Sequence, residues 1–185
     1  MKRCIILCLL LMVVVVSVVQ AQTPATAPKP DPEIKKLQVL VGHWTFDGVQ
    51  KPGPLGPGGK FTGEFNGRMI LGGFFLQCQV SGKVAESDMR VLEIDGYDPV
   101  NKNLSSEMYL GDGSRFAGVI TIARNTWTYA GKWSVAGKQY QLKDSVTFAP
   151  DWTSATEKVE ISADGKTWTP LFEDEWTKVH AAPKK

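Results

Sequence analysis

Histidine and cysteine are scarce, with two histidines and three cysteines in 185 residues. No HExxH pair, Cys/His cluster or GxSxG elbow occurs, so zinc-hydrolase and serine-hydrolase chemistry have no foothold. Two of the cysteines, Cys4 and Cys8, fall in an N-terminal apolar stretch, and a chain that loses the stretch keeps Cys78 alone. A single cysteine makes neither an intramolecular disulfide nor a structural zinc site, so the fold has to stand on packing. An excess of either charge is missing as well. There is no basic block, and without Lys2 and Arg3 there remain 19 basic against 19 acidic residues. Such a balance argues against nucleic acid and anionic membranes as partners, because both need a cationic footprint.

What is present is a core: 43% of the chain is hydrophobic and 10% aromatic, in a length suited to one domain. Residues 1–21 read as a secretory signal. Lys2 and Arg3 open it, residues 5–19 are apolar apart from Cys8 and Ser17, and Val19-Gln20-Ala21 offers a cut after small residues. The apolar run is short for a membrane span, so cleavage is preferred over a retained anchor and the mature protein is expected to be secreted or periplasmic. Residues 22–30 form a Pro/Ala/Thr linker, 31–179 the folded domain, and 180–185 a loose tail.

Helical signals are confined to the start of the domain, where Asp31 can cap, Pro32 suits the first turn, and Ile34, Leu37 and Leu40 recur before Gly42. Beyond Gly42 the chain reads as ten strands, at 43–50, 60–69, 71–81, 88–95, 103–110, 114–123, 126–134, 138–148, 155–162 and 166–179. Short turn formers such as Val135-Ala136-Gly137 and Ala163-Asp164-Gly165 separate them, leaving no room for crossover helices. The predicted fold is therefore all-β, an antiparallel up-and-down barrel closed at one end by the short helix. Period-two alternation turns Trp127, Tyr129 and Trp133 to one face of their strand, and Tyr140, Leu142, Val146 and Phe148 to one face of the next. In the last strand Trp168, Phe172, Asp174, Trp176 and Lys178 oppose Thr169, Leu171, Glu173, Glu175 and Thr177.

Leu40-Val41-Gly42-His43-Trp44, a short helix running into a Gly-x-Trp strand start, resembles the opening of lipocalin-like (calycin) barrels. The resemblance implies that Trp44 plugs one end under the helix and stacks with a basic residue of a late strand, here Lys178 where lipocalins usually carry arginine. The layout of Leu71-Gly72-Gly73, Asp95-Gly96-Tyr97-Asp98-Pro99 and Ser162-Ala163-Asp164-Gly165-Lys166-Thr167-Trp168 resembles a family of small bacterial proteins known only as a domain of unknown function with a lipocalin-like barrel. That likeness spans about residues 33–179 and implies a barrel but no activity.

Several apparent motifs lead nowhere. Residues 53–60 (GPLGPGGK) fail the phosphate-loop spacing, with Pro54 and Phe61 at required positions. His43 is expected on the strand face opposite Trp44. His180 invites a haem-ligand reading, which its place in a Pro-containing tail disfavours, so no cofactor and no metal is expected. Asn103-Leu104-Ser105 matches a glycosylation sequon by chance. Cys78 is expected as a small core residue rather than a nucleophile.

Asp144 and Asp174 stand out because each interrupts an apolar inward face, where an isolated carboxylate is costly. Each is expected either to bond Lys178 or Arg90 or turn out at a bulge, or else to serve as a polar anchor or acid/base group. A one-residue register slip would bring Arg90, Arg115 and Glu93 inward instead. Three readings remain: a barrel that binds a small, mainly apolar molecule through Trp127, Tyr129, Trp133, Tyr140, Asp144, Phe172, Asp174 and Trp176; a lyase or isomerase using Asp144 or Asp174; and a filled barrel acting through its surface. The first, as a monomer or weak homodimer, is preferred, with the helix end closed and the loops near 51–60 and Asp112 framing the mouth.

Overall fold

The computed structural model describes residues 27–179. The expected signal, most of the linker, the tail and His180 lie outside the described residues. Ten antiparallel strands close into a barrel in which every strand pairs with its sequence neighbours and the last pairs with the first. They are β1 (Gly42–Gln50), β2 (Gly59–Ile70), β3 (Phe75–Val84), β4 (Ser87–Asp98), β5 (Asn103–Leu110), β6 (Arg115–Ala123), β7 (Thr126–Val135), β8 (Lys138–Phe148), β9 (Ser154–Ser162) and β10 (Thr169–Val179). Closure leaves no unpaired edge, which is how an antiparallel meander without disulfides avoids pairing with other chains. Among the described residues no helix is long and apolar enough to cross a membrane.

The opening helix, Pro32–Leu40, is a 3-10 helix. Its apolar residues recur every third position, and three residues per turn stacks them on one face, so Ile34, Leu37 and Leu40 are all buried. Asp31 Oδ1 caps it by accepting from the Glu33 amide at 2.9 Å. The helix packs across the ends of β2, β3 and β4. Trp44 beneath it is fully buried, stacked on Phe65 with ring centroids 5.8 Å apart. Lys178 Nζ stands 5.1 Å from the Trp44 ring centre and donates to the Val39 carbonyl at 3.1 Å. The lysine therefore serves the helix end with one hydrogen bond, while its charge sits over the indole.

Several strand boundaries differ from the sequence reading, three of them for an evident local reason. Residues 71–73 do not begin β3, because Leu71, Gly72 and Gly73 all take left-handed φ, at 49°, 70° and 89°. β4 runs on to Asp98, whose carboxylate then organises the turn by accepting from the amides of Val100 and Asn101. β10 begins at Thr169 rather than 166, since Asp164 Oδ1 draws in the amides of Lys166 and Thr167, both at 2.8 Å, and holds the loop off the sheet.

The predicted β10 faces also need correction at one residue. A bulge between Pro170 and Phe172 leaves Leu171 outside the ladder count. Leu171, expected opposite Phe172, is therefore fully buried. From Phe172 onward the alternation follows the expected parity.

A candidate binding cavity inside the barrel

Inward positions of nine strands and Leu40 of the helix enclose a cavity of about 180 Å3. The engineered cavity that admits benzene measures roughly 150 Å3, so the space suits a molecule of one ring and a short tail. Its wall is mainly apolar, with Phe46, Phe61 and Phe65 from β1 and β2 packed beside Phe172 and Trp176 from the neighbouring β10. Phe61 bridges two of these rings, 4.8 Å from Phe46 and 4.6 Å from Phe172.

Into this apolar wall project four carboxyl groups: Glu93 from β4, Asp144 from β8, Glu157 from β9 and Asp174 from β10. A fifth, Asp95, lies buried two residues beyond Glu93 on the same face. Glu157 and Asp174 are direct cross-strand partners, and Trp176 joins them. Its indole Nε1 donates to Asp174 Oδ2 at 2.8 Å and reaches Glu157 Oε2 at 3.3 Å. Asp144 Oδ1 and Asp174 Oδ1 are buried and have no hydrogen-bond partner in the protein. The carboxyls of Asp95 and the hydroxyl of Ser106 lie near enough to Glu93 to influence its ionisation, yet neither forms a hydrogen bond of normal geometry.

Burial is the leading influence on all five, and each is pushed above the ordinary carboxyl range. Asp144 rises to about 8, burial outweighing its contact with Glu157. Asp174 rises to about 10, through burial and then repulsion from Glu157. At neutral pH Asp144 and Asp174 therefore hold their protons. Burial also raises the Tyr129 hydroxyl and the Cys78 thiol, with the neighbouring acids adding to it.

The family model described as "Protein of unknown function (DUF1579)" matches residues 29–166. The chain belongs to that family. Among solved structures, the DUF1579 chain is similar to the one described as "Crystal Structure of Rv2717c from M. tuberculosis", with a TM-score of 0.59 and 13% identity over 82% of this chain and 100% of that one. At that identity the likeness shows the fold alone. No match is found among curated proteins.

Of the eight residues singled out from the sequence of this DUF1579 protein, Tyr129, Trp133, Asp144, Phe172, Asp174 and Trp176 meet in the cavity wall. Trp127 does not: it is fully buried at the helix end, edge-on to Phe148 at 5.2 Å. Tyr140 also stays out of the wall, buried beside its cross-strand partner Trp133 near the mouth end of β8.

The expected salt bridges of the interior aspartates do not form. Lys178 is committed to Val39 and Trp44, and Arg90 faces outward, exposed, opposite Ser81. Arg115 is outside too, paired with Glu107 at 3.2 Å. Glu93 does point inward, because Met89, Val91, Glu93 and Asp95 share one parity of β4.

His43 lies on the outer face, with Nε2 2.9 Å from Glu64 Oε2. Cys78 is buried as expected, and it lines the cavity opposite Glu93. The 51–58 loop sits at the end opposite the helix and folds Leu55 against the core. Glu157 was not singled out from the sequence, although it shares the parity of the buried Val159 and Ile161.

Proposed function

We propose that this protein binds a small, mainly apolar molecule inside its barrel, after export directed by its N-terminal segment. The observation that carries the reading is the cavity of about 180 Å3 walled by aromatic rings and by thioether and aliphatic side chains. Concave apolar spaces with a few convergent polar groups are where small ligands are held. The same cavity weighs against a barrel filled by its own side chains. Binding is tested by native mass spectrometry of protein from its own host, compared with the denatured sample, and by thermal shift with added ethylbenzene. A releasable extra mass, or stabilisation by ethylbenzene that Trp133→Ala abolishes and Trp127→Phe does not, supports the reading. A clean apo mass together with no shift overturns it.

A second reading is favoured by one observation: the Asp174 and Glu157 carboxyls share a single indole donor next to Asp144 and to open space. Proton-bearing carboxyls beside a cavity are suited to general acid/base work on a bound substrate. In this reading Asp144 or Asp174 moves the proton. Incubating the recovered ligand with fresh protein in D2O tests it. Deuterium uptake or rearrangement that is lost in both Asp144→Asn and Asp174→Asn supports catalysis, whereas a ligand returned unchanged overturns it.

A further inference from the structure

The titratable groups that face the cavity are Cys78, Glu93, Tyr129, Asp144, Glu157 and Asp174. Among the described residues no lysine, arginine or histidine lines it. A mainly apolar interior that served only to hold hydrocarbon would gain nothing from four carboxyl groups, since each costs desolvation energy when ionised. Two of them show where a partner is missing. Asp144 and Asp174 are each more than nine-tenths buried, both line the cavity, and each has one oxygen that no protein donor satisfies. The remaining Asp174 oxygen is already served by Trp176.

A protonated carboxyl offers one O–H, which a neighbouring acid of the cluster can accept, so several clustered carboxyls hold more acceptor positions than donors and call for a partner rich in donors. A carbonyl or carboxylate ligand would bring more acceptors, whereas an ammonium brings three donors and none to accept. Position agrees with that chemistry. Asp144, Glu157 and Asp174 come from three consecutive strands, and Glu93 faces them from β4, which stands across the ring from β9. Phe65 and Trp176, packed edge to face, add aromatic rings to the same wall.

We propose that the molecule held in the barrel carries a protonated nitrogen, an aryl-alkyl or alkyl amine whose cationic head sits among Asp144, Glu157 and Asp174 and whose body lies against the wall formed by Phe46, Phe61 and Phe172. The proposal rests on the cavity-binding reading and names the ligand class. Binding the cation ionises at least one carboxyl that the empty protein keeps protonated, so a proton leaves as the amine enters.

The test is calorimetric titration of the purified protein near neutral pH with three probes of matched shape: phenethylamine, 2-phenylethanol and 3-phenylpropionate. The expected result is that the amine binds about tenfold or more tighter than the alcohol, the weight of one charge-assisted hydrogen bond, and that the carboxylate does not bind. Repeating the titration in buffers of different ionisation heat should show a proton released with the amine and none with the alcohol. In Asp144→Asn and Asp174→Asn the amine's advantage should shrink while 2-phenylethanol still binds, and that retained binding also shows the variants are folded. Glu157→Gln replaces either variant if one fails to fold.

Alcohol and amine binding equally would overturn the amine inference and leave the cavity reading standing. Binding by none of the three probes would overturn both. An amine preference that survives in all the carboxyl variants would overturn the assignment of its head to these residues.

Discussion

Gly48 stands directly across the β1–β10 ladder from Asp174, and a methyl group on it would fall 2.2 Å from the Asp174 Cβ and 2.2 Å from the Glu173 carbonyl oxygen. On its other side Asp174 faces Glu157 in β9. The acid is thus set between a residue with no side chain and a second carboxyl. The bare Cα of Gly48 gives β10 the close approach to β1 that seats Asp174 against the cavity wall.

Gly48→Ala should therefore cost about 1–3 kcal/mol, the usual range for overpacking, and should be read as a lower denaturant midpoint with unchanged slope. Adding Asp174→Gly should restore only part of the loss, because the Glu173 carbonyl contact remains. Full rescue by the second change would show that the glycine serves the Asp174 side chain alone.

The buried acids make stability depend on pH in a defined direction. A carboxyl whose folded value lies above its unfolded value stabilises the fold while it keeps its proton, and that contribution is lost as pH rises. For Asp144 the loss runs from the ordinary 3.8 up to about 8, and for Asp174 up to about 10. Denaturant midpoints of the empty protein should fall steadily from pH 5 to pH 9. Asp144→Asn and Asp174→Asn should flatten that slope, so that each variant's midpoint gains on the parent's between pH 5 and pH 9. A parent curve that rises over this range would sink the idea that these groups are protonated in the fold.

Much of the barrel is legible from the amino acids because its turns are short and its faces alternate. Ala136 and Gly137, both at left-handed φ, join β7 to β8 in two residues and so fix which side chains oppose each other. Trp133 and Tyr129 follow from that register. Leu171 could not be placed, since a bulge inserts a residue without a distinct sequence mark. The 3-10 form of Pro32–Leu40 was visible only in its spacing of three.

The carboxyl cluster was half visible. Asp144 and Asp174 stand out against apolar neighbours, whereas Glu157 sits in a strand with Thr156, Lys158 and Glu160 and reads as one more charge on an exposed face. What separates it is parity with Val159 and Ile161. Which oxygens of the cluster lack a donor could not be read from the chain at all, because it depends on Trp176 reaching Asp174 and Glu157 together.

Cys78 should be inert in the native protein. Burial raises its thiol first, with the charges of Glu93 and Asp95 adding to that, so little thiolate is present to react. Labelling with iodoacetamide, resolved by peptide mapping, should proceed at Cys78 only as fast as the barrel opens, and should accelerate sharply in denaturant. Reaction at the rate of a free thiol would contradict the buried position.

Lys178 makes two separable contributions at the closed end, a hydrogen bond to the Val39 carbonyl and a charge over Trp44. Lys178→Met keeps the aliphatic stem that packs there and removes both, so it should cost about 1–2 kcal/mol. The loss should be local to the helix: amide hydrogen exchange should speed up in Pro32–Leu40 and in the first residues of β1 while β5 to β8 keep their protection. Lys178→Arg retains the charge and can offer a donor to the same carbonyl, and its flat guanidinium stacks on an indole better than an ammonium does. That variant should hold or raise the melting temperature. If Arg costs as much as Met, the closed end depends on the compact ammonium fitting beneath the helix rather than on its charge.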